Sequence, residues 1–105
     1  MKYVICLTTV GSRADAARIA RAVVRRRLAA CVTVIPGSFS LFMWKKRLCQ
    51  ERECLLILKT SRFRRASLEA ALKKIHPYKL PEFLVLPVSG GSRRYLNWIR
   101  KNLDE

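Results

Sequence analysis

The chain has 105 residues, 50% of them hydrophobic, and its 22 Lys and Arg against 7 Asp and Glu give a formal charge of +15. This length suits a single domain, residues 1–105, with its own core, and the composition excludes a disordered or fibrous chain. Lys or Arg interrupts each apolar run before it reaches membrane-spanning length, and the N-terminal run lacks a signal-peptide cleavage site. We therefore expect a cytoplasmic protein with no membrane partner.

The first elements are a strand and an amphipathic helix. The apolar run Tyr3–Thr9 predicts an interior strand, and Ser12 can cap the helix that follows. Over residues 14–29 the apolar positions form one stripe, while arginines line the opposite side. This pattern is typical of a helix packed on a sheet.

Two apolar arms, Ala30–Trp44 and Leu48–Thr60, flank a basic turn at residues 45–47 and predict a long β-hairpin. Pro36-Gly37 indicates a bulge in the first arm, because the apolar pattern resumes after it. Arms of about 14 residues reach ~45 Å, whereas a compact domain of this length is about 33 Å across. Part of the hairpin should therefore project, and its apolar surface calls for oligomerisation.

The second half of the chain adds a helix, a strand and a final helix. The second helix of the chain is predicted over residues 62–75, and His76-Pro77 ends it. A strand follows at Glu82–Val88, and Ser92 caps the last helix. The order β-α-β-β-α-β plus one helix predicts an α+β, ferredoxin-like sandwich: a four-stranded antiparallel sheet with helices on one face and the other face open.

The four cysteines, Cys6, Cys31, Cys49 and Cys54, lack the spacing of a zinc site. Cys6 and Cys31 lie in apolar runs, where a buried free thiol is the ordinary state. Cys49 and Cys54 are five residues apart on one strand and so point to opposite faces, which excludes a bridge between them.

Catalytic motifs are missing from the sequence: no phosphate loop, Ser-His-Asp set or HExxH motif occurs. His76 is the only histidine, with Tyr78 and Glu82 close behind it and Lys59-Thr60 closing a strand that this fold brings nearby. An enzyme would need an acid–base pair such as His76 with Glu82, but nothing identifies a nucleophile. We therefore expect no catalytic activity.

The basic charge raises the alternative of a polyanion or nucleic-acid binding module. RNA-recognition domains share the βαββαβ order, but their third strand carries exposed aromatics, and the run Cys54–Lys59 has none. The sheet face is thus suited to burial against protein. Polyanion binding would instead use a basic exterior, with little sequence preference. Its residues would be Arg13, Arg18, Arg21, Arg25, Arg93, Arg94 and Lys101.

Five motifs carry a family resemblance across nearly the whole chain. In order they are RLAACVTVIPG, SLFMW, LLILKT, HPYKLPE and YLNWI. Together they closely resemble the CutA family of divalent-cation tolerance proteins.

The resemblance implies a ferredoxin-like subunit in a tight homotrimer, with hairpins pairing between neighbours and clefts between subunits, as in the PII signalling proteins. Family members are linked to copper and other divalent metals, and no reaction is firmly assigned to them. By position, His76 corresponds to a residue implicated in metal binding. Lys59, Tyr78 and Glu82 would line the cleft, with Trp44 nearby at the hairpin end.

Departures from the family pattern weaken the metal site. Where some bacterial members carry a metal-binding cysteine and a second histidine, this chain has Thr8 and Ile75. Cys6 lies on the same strand face as Thr8 and is a candidate substitute ligand. A site reduced to His76 predicts weak or absent metal binding unless three subunits contribute to it.

The charge pattern is the other departure. The family's Trp-x-Gly-Lys turn is replaced by Trp44-Lys45-Lys46-Arg47, and Lys or Arg often stands where relatives carry Glu. Natural drift or the engineering of a supercharged trimer scaffold would each produce this pattern, and the predicted fold is the same in both cases.

Overall fold

The computed structural model describes residues 2–105. Its elements are β1 (Tyr3–Val10), α1 (Arg13–Arg25), β2 (Cys31–Trp44), β3 (Arg47–Ser61), α2 (Arg65–Ile75), β4 (Leu84–Pro87) and α3 (Arg93–Asn102). The strands form one antiparallel sheet in the order β2-β3-β1-β4. The predicted split βαββαβ arrangement with an additional helix is thereby confirmed. Within residues 2–105, no helix has the length and apolarity needed to cross a membrane.

The core lies between one face of the sheet and the helices α1 and α2. Every second residue of β1 is buried, because successive side chains of a strand point to opposite faces. Opposite them, α1 contributes Ile19 and Val23, and α2 contributes Leu68 and Leu72, all fully buried. The apolar stripes predicted on both helices therefore face the sheet, except at Val24 and Phe63, which are exposed.

Both helices of the core are shorter than predicted. α1 ends at Arg25 and not at residue 29, because Arg27 turns the chain with a left-handed φ of 57°. α2 begins at Arg65 and not at residue 62, because residues 62–64 form a turn in which the Ser61 hydroxyl accepts from the Arg64 N–H at 3.2 Å. β4 is likewise trimmed, to Leu84–Pro87.

The β2–β3 hairpin gives the molecule its elongated shape. The register shifts between Ile35 and Ser38, where Gly37 has a φ of 79°, which confirms the predicted bulge. The turn itself has only two residues, Lys45 and Lys46, and Arg47 already belongs to β3. The molecule is 45 Å long and only 26 and 23 Å in the other directions, so the hairpin projects as expected.

The second face of the sheet is not left entirely open, which corrects the expectation that all helices share one face. Ile99 and Leu103 of the α3 region form a small core with Ala30, against which Tyr3 packs. α3 therefore covers one end of this face. The remainder exposes large apolar side chains, among them Ile35, Leu84 and Leu86.

Candidate binding site around His76 and Tyr78

His76 follows α2 directly and is held against the end of β1. Its side chain is buried, with Nε2 2.9 Å from the carbonyl oxygen of Thr9 and Nδ1 3.1 Å from the backbone nitrogen of Tyr78. Because a backbone N–H only donates, Nδ1 is the acceptor and Nε2 carries the proton donated to Thr9. Both ring nitrogens are therefore occupied by hydrogen bonds.

Tyr78 packs beside this ring and extends the hydrogen-bonded group to β3. The two ring centroids lie 4.8 Å apart, and the Tyr78 hydroxyl donates to Glu53 Oε2 at 3.0 Å. Burial, followed by the hydrogen bond to Glu53, raises the pKa of Tyr78 to about 12. Tyr78 thus stays protonated throughout the physiological range and acts as a hydrogen-bond donor.

Glu53 is the site residue that sequence reasoning missed. Its side chain is only 6% exposed and lines a cavity of about 410 Å³ at the start of α1. The cavity is lined by Gly11, Ser12, Arg13, Pro36, Gly37, Arg52, Glu53 and Cys54. A carboxylate directly before the apolar run of β3 is the signal that would have found it, since buried acids are rare without a partner.

Cys6 and Thr8 share the buried face of β1, as predicted, and both are fully buried. Burial raises the pKa of the Cys6 thiol to about 11, so the thiolate needed to bind a metal is scarce near neutral pH. The Thr8 hydroxyl has no hydrogen-bond partner in the described part of the chain.

Lys59 lies elsewhere on the same subunit. It is paired with Ile5 in the strand register, four residues and about 13 Å along β1 from Thr9, where His76 is bound. Its Nζ donates to the Tyr95 hydroxyl at 3.1 Å, and this hydrogen bond raises the pKa of Lys59.

Trp44 and Glu82 complete the set of predicted site residues. Trp44 is exposed at the hairpin tip, and Glu82 is exposed just before β4. A single subunit therefore brings together only His76 and Tyr78, with Glu53 added.

A resident transition metal does not fit this arrangement within one chain. Copper and zinc prefer imidazole lone pairs or thiolates, whereas the ring of His76 offers no free nitrogen and the thiol of Cys6 is held in its neutral form. Between residues 2 and 105, no three His, Cys, Asp or Glu side chains come together as a ligand group. The metal-binding roles of His76 and Cys6 stay predictions.

Two of the sequence motifs have a structural role. The Thr60 hydroxyl of LKT donates to the carbonyl of Leu28, which opens LAAC, at 2.7 Å in the protein interior. The Ala30 N–H donates to the Lys59 carbonyl at 2.8 Å. These bonds fix the entry into β2 against the end of β3.

The fold and the site together define a class of protein: a ferredoxin-like domain with a projecting hairpin and a His-Pro-Tyr turn hydrogen-bonded to its first strand. The family model described as "CutA1 divalent ion tolerance protein" matches residues 4–102. The chain belongs to the CutA1 family.

Individual relatives agree with this assignment. The divalent-cation tolerance protein CutA of Thermus thermophilus is 41% identical over 98 residues, covering 93% of this chain and 95% of that protein. Its Escherichia coli counterpart is 44% identical over 100 residues, covering 95% and 89%. The crystal structure of CutA from Xylella fastidiosa superposes with a TM-score of 0.96 at 34% identity, covering 99% and 100% of the two chains. The family resemblance read from the motifs is confirmed.

Proposed function

We propose that this chain is a non-catalytic homotrimer that acts in divalent-cation tolerance and binds ions or small ligands at clefts between its subunits. The observation that carries the proposal is the large apolar surface of the hairpin and of the second sheet face. The names of the relatives support the cation-tolerance part.

The exposed apolar surface is too extensive for a free subunit. Large side chains at 39% to 71% exposure follow one another along the hairpin. They are Phe39, Leu41, Phe42, Met43, Trp44 and Leu48. Together with Leu84 and Leu86 on the second face, they would be buried by neighbouring copies.

The proposed cleft between subunits is built from residues that lie far apart within one chain. Tyr78 and Glu53 would form its floor, and Lys59, Glu82 and Trp44 would be brought in by a neighbouring subunit. The support is geometric: Trp44 lies at the tip of a projecting hairpin, and Lys59 lies about 13 Å along the sheet from the His76 site.

Copper or another divalent metal remains the proposed ion, bound weakly. A lone pair on His76 becomes available only if the ring gives up its hydrogen bond to Thr9 or Tyr78. Cys6 would have to lose a proton inside the core. Both costs reduce the affinity, which is the physical basis for expecting weak binding.

Trimer formation is tested by the solution mass at low and at physiological salt. The expected mass is about 36 kDa, three times the 12.1 kDa of one chain. Leu84→Glu, on the second face, should shift the mass towards 12 kDa. Val24→Glu, on the exposed side of α1, is the matched control and should not. A parent chain that is monomeric at both salt concentrations would overturn the trimer.

Metal binding is tested by calorimetric titration of Cu²⁺ into the parent chain, His76→Gln and Cys6→Ser. We expect weak binding that His76→Gln reduces about 10-fold or more, the loss usual for a change at a ligand sphere. If both variants bind Cu²⁺ as the parent does, these two residues are not the ligands.

We further propose a cytoplasmic location, which the four free cysteines support because thiols stay reduced there. The structural relative from Archaeoglobus fulgidus, 29% identical, is described as periplasmic. Separation of cell fractions decides between the two.

Nonspecific polyanion binding is a second candidate function, favoured by the charge balance. Five of the 22 Lys and Arg side chains form ion pairs within residues 2–105, which leaves 17 without a carboxylate partner. Such a surface attracts polyanions, and the attraction weakens as salt is added.

A further inference from the structure

The end of the sheet opposite the hairpin tip gathers basic side chains from four parts of the chain. There the Arg62 N–H donates to the Lys2 carbonyl at 3.0 Å, which joins the start of β1 to the end of β3. Arg27 Nη1 donates to the Asn102 carbonyl at 2.9 Å, and this contact brings the end of α1 to the end of α3. We call the resulting cluster the basic end. It consists of Lys2, Arg25, Arg26, Arg27, Arg62, Arg64, Arg100 and Lys101.

The carboxylates at the basic end neutralise only part of this charge. Arg27 pairs with Asp104 at 3.0 Å, and Arg64 pairs with Glu105 at 3.2 Å. The other six cations form no ion pair with a carboxylate side chain of residues 2–105. Arg100 Nη1 donates to the main-chain oxygen of Glu105 at 2.7 Å, which orients its guanidinium. The cations of the basic end that lack a carboxylate side chain therefore face solvent or a partner of opposite sign.

Phe63 lies beside Arg62 of this cluster, in the turn between β3 and α2. Its side chain is 64% exposed, and the Arg62 guanidinium lies 5.1 Å from its ring centroid. The ring belongs to neither of the two buried clusters. An exposed aromatic ring between Arg62 and Arg64 offers a stacking surface within a field of positive charge.

We infer that the basic end binds single-stranded nucleic acid, with phosphates held by the arginines and lysines and an unpaired base stacked on Phe63. This rests on the polyanion binding proposed above, and adds a defined surface and partner class. A flat exposed ring beside a guanidinium group suits an unstacked base, which a duplex does not offer. A membrane surface would instead favour a stripe of several apolar residues, and a second copy of the chain would be repelled by the same charges.

The test measures binding of a fluorescent oligothymidine of roughly 20 nucleotides by anisotropy. An abasic strand of equal length keeps the phosphates and removes the bases. We expect the oligothymidine to bind about 5- to 150-fold more tightly than the abasic strand, the range for one stacked base. The logarithm of its affinity should fall against the logarithm of salt with a slope of about −3 to −4, for four to six phosphate contacts on a single strand.

Phe63→Ala should remove the preference for bases and leave binding of the abasic strand unchanged. Arg26→Gln with Arg62→Gln should weaken binding of both strands. The matched control, Arg93→Gln with Arg94→Gln, lowers the charge by the same two units at the other end of α3 and should have a smaller effect. All variants are compared after their solution mass has been shown to equal that of the parent.

Three results would overturn the inference. Equal affinity for the two strands would show that no base is stacked. Equal losses in the two charge variants would leave nonspecific polyanion binding standing and remove the basic end as its site. Binding to vesicles rich in phosphatidylserine without binding to oligothymidine would assign the surface to a membrane.

Discussion

Two buried threonines on the core face of the sheet illustrate how one hydroxyl changes its contribution with its surroundings. Thr60 donates to the Leu28 carbonyl, whereas the hydroxyl of Thr8 has no partner within residues 2–105. Both side chains are fully buried. The desolvation cost of a hydroxyl is the same in each place, but only Thr60 recovers it through a hydrogen bond.

Replacement by valine should therefore have opposite effects at these two positions. Thr60→Val is expected to lower the free energy of unfolding by about 1 to 3 kcal/mol, and Thr8→Val to raise it by about 1 kcal/mol. Urea unfolding at one fixed protein concentration measures both. A loss of stability in Thr8→Val would show that its hydroxyl has a partner after all.

Tyr78 should ionise only at strongly alkaline pH. Its pKa is raised from 10.0 to about 12 by burial and by the hydrogen bond to Glu53. Since the folded pKa lies above the unfolded one, its contribution to stability is complete below pH 10 and is lost as the pH rises through 12. The ultraviolet absorbance of tyrosinate, followed as the pH is raised, measures this ionisation. Tyr78→Phe should remove the absorbance step that occurs at the highest pH. If Tyr78→Phe kept the absorbance step at the highest pH, the prediction would be contradicted.

At the scale of single elements, the end of α1 depends on a residue that is unusual for its position. Arg27 adopts a left-handed φ of 57°. In this conformation the Leu28 N–H donates to the Val23 carbonyl at 2.9 Å, and the Arg27 N–H donates to the Val24 carbonyl at 3.0 Å. Glycine is the common residue in this helix-ending motif. The arginine is explained by its side chain, which contacts Asn102 and Asp104 and so fastens α3.

Glycine and alanine substitutions separate these two roles. Both remove the contacts to α3, but Arg27→Gly also removes the left-handed strain, so it should be more stable than Arg27→Ala by about 1 kcal/mol. At the neighbouring Arg26, with a φ of −84°, the order should reverse because glycine there only adds backbone freedom. Thermal unfolding of the four variants measures both differences. The same order at both positions would mean that Arg27 carries no strain.

The ends of α1 and α2 are also where prediction from the sequence was least accurate. The apolar stripe of α1 extends to Leu28, which is buried, yet Leu28 reaches the core from beyond the end of the helix. Likewise Phe63 fits the apolar pattern of α2 but lies exposed in the turn before it. Periodicity records which residues are apolar, and it does not record where a side chain or a cap stops the helix.

At the scale of the whole molecule, the most unusual property is the formal charge of +15. A trimer would carry a formal charge of about +45, so apolar burial in the interface has to exceed the mutual repulsion of the subunits. Screening acts over ~8 Å at physiological salt, which weakens repulsion between distant groups far more than it weakens apolar contacts.

Stability should therefore increase with salt. Raising NaCl from about 50 to 200 mM is expected to raise the thermal midpoint, because the 17 unpaired cations repel one another less when screened. Arg93→Gln with Arg94→Gln should show a smaller increase. A midpoint that falls with salt would indicate that the five ion pairs outweigh the repulsion.

The sequence by itself determined the order of all seven elements, the bulge at Pro36-Gly37, the caps at Ser12 and Ser92 and the closeness of His76 to Tyr78. These features depend on local periodicity, turn chemistry and short separations along the chain. All three can be derived from the residue types and their spacing. The family assignment also followed from motifs in sequence order.

Only the tertiary structure decided which distant side chains meet. It placed Glu53 against Tyr78, 25 residues away in sequence, and separated Lys59 from that pair. It also engaged both ring nitrogens of His76 in hydrogen bonds. It also placed α3 on the second face and brought the ends of α1, β3 and α3 together at the basic end. Such contacts are set by strand register and helix packing, and one shifted residue in a strand would send each side chain to the other face.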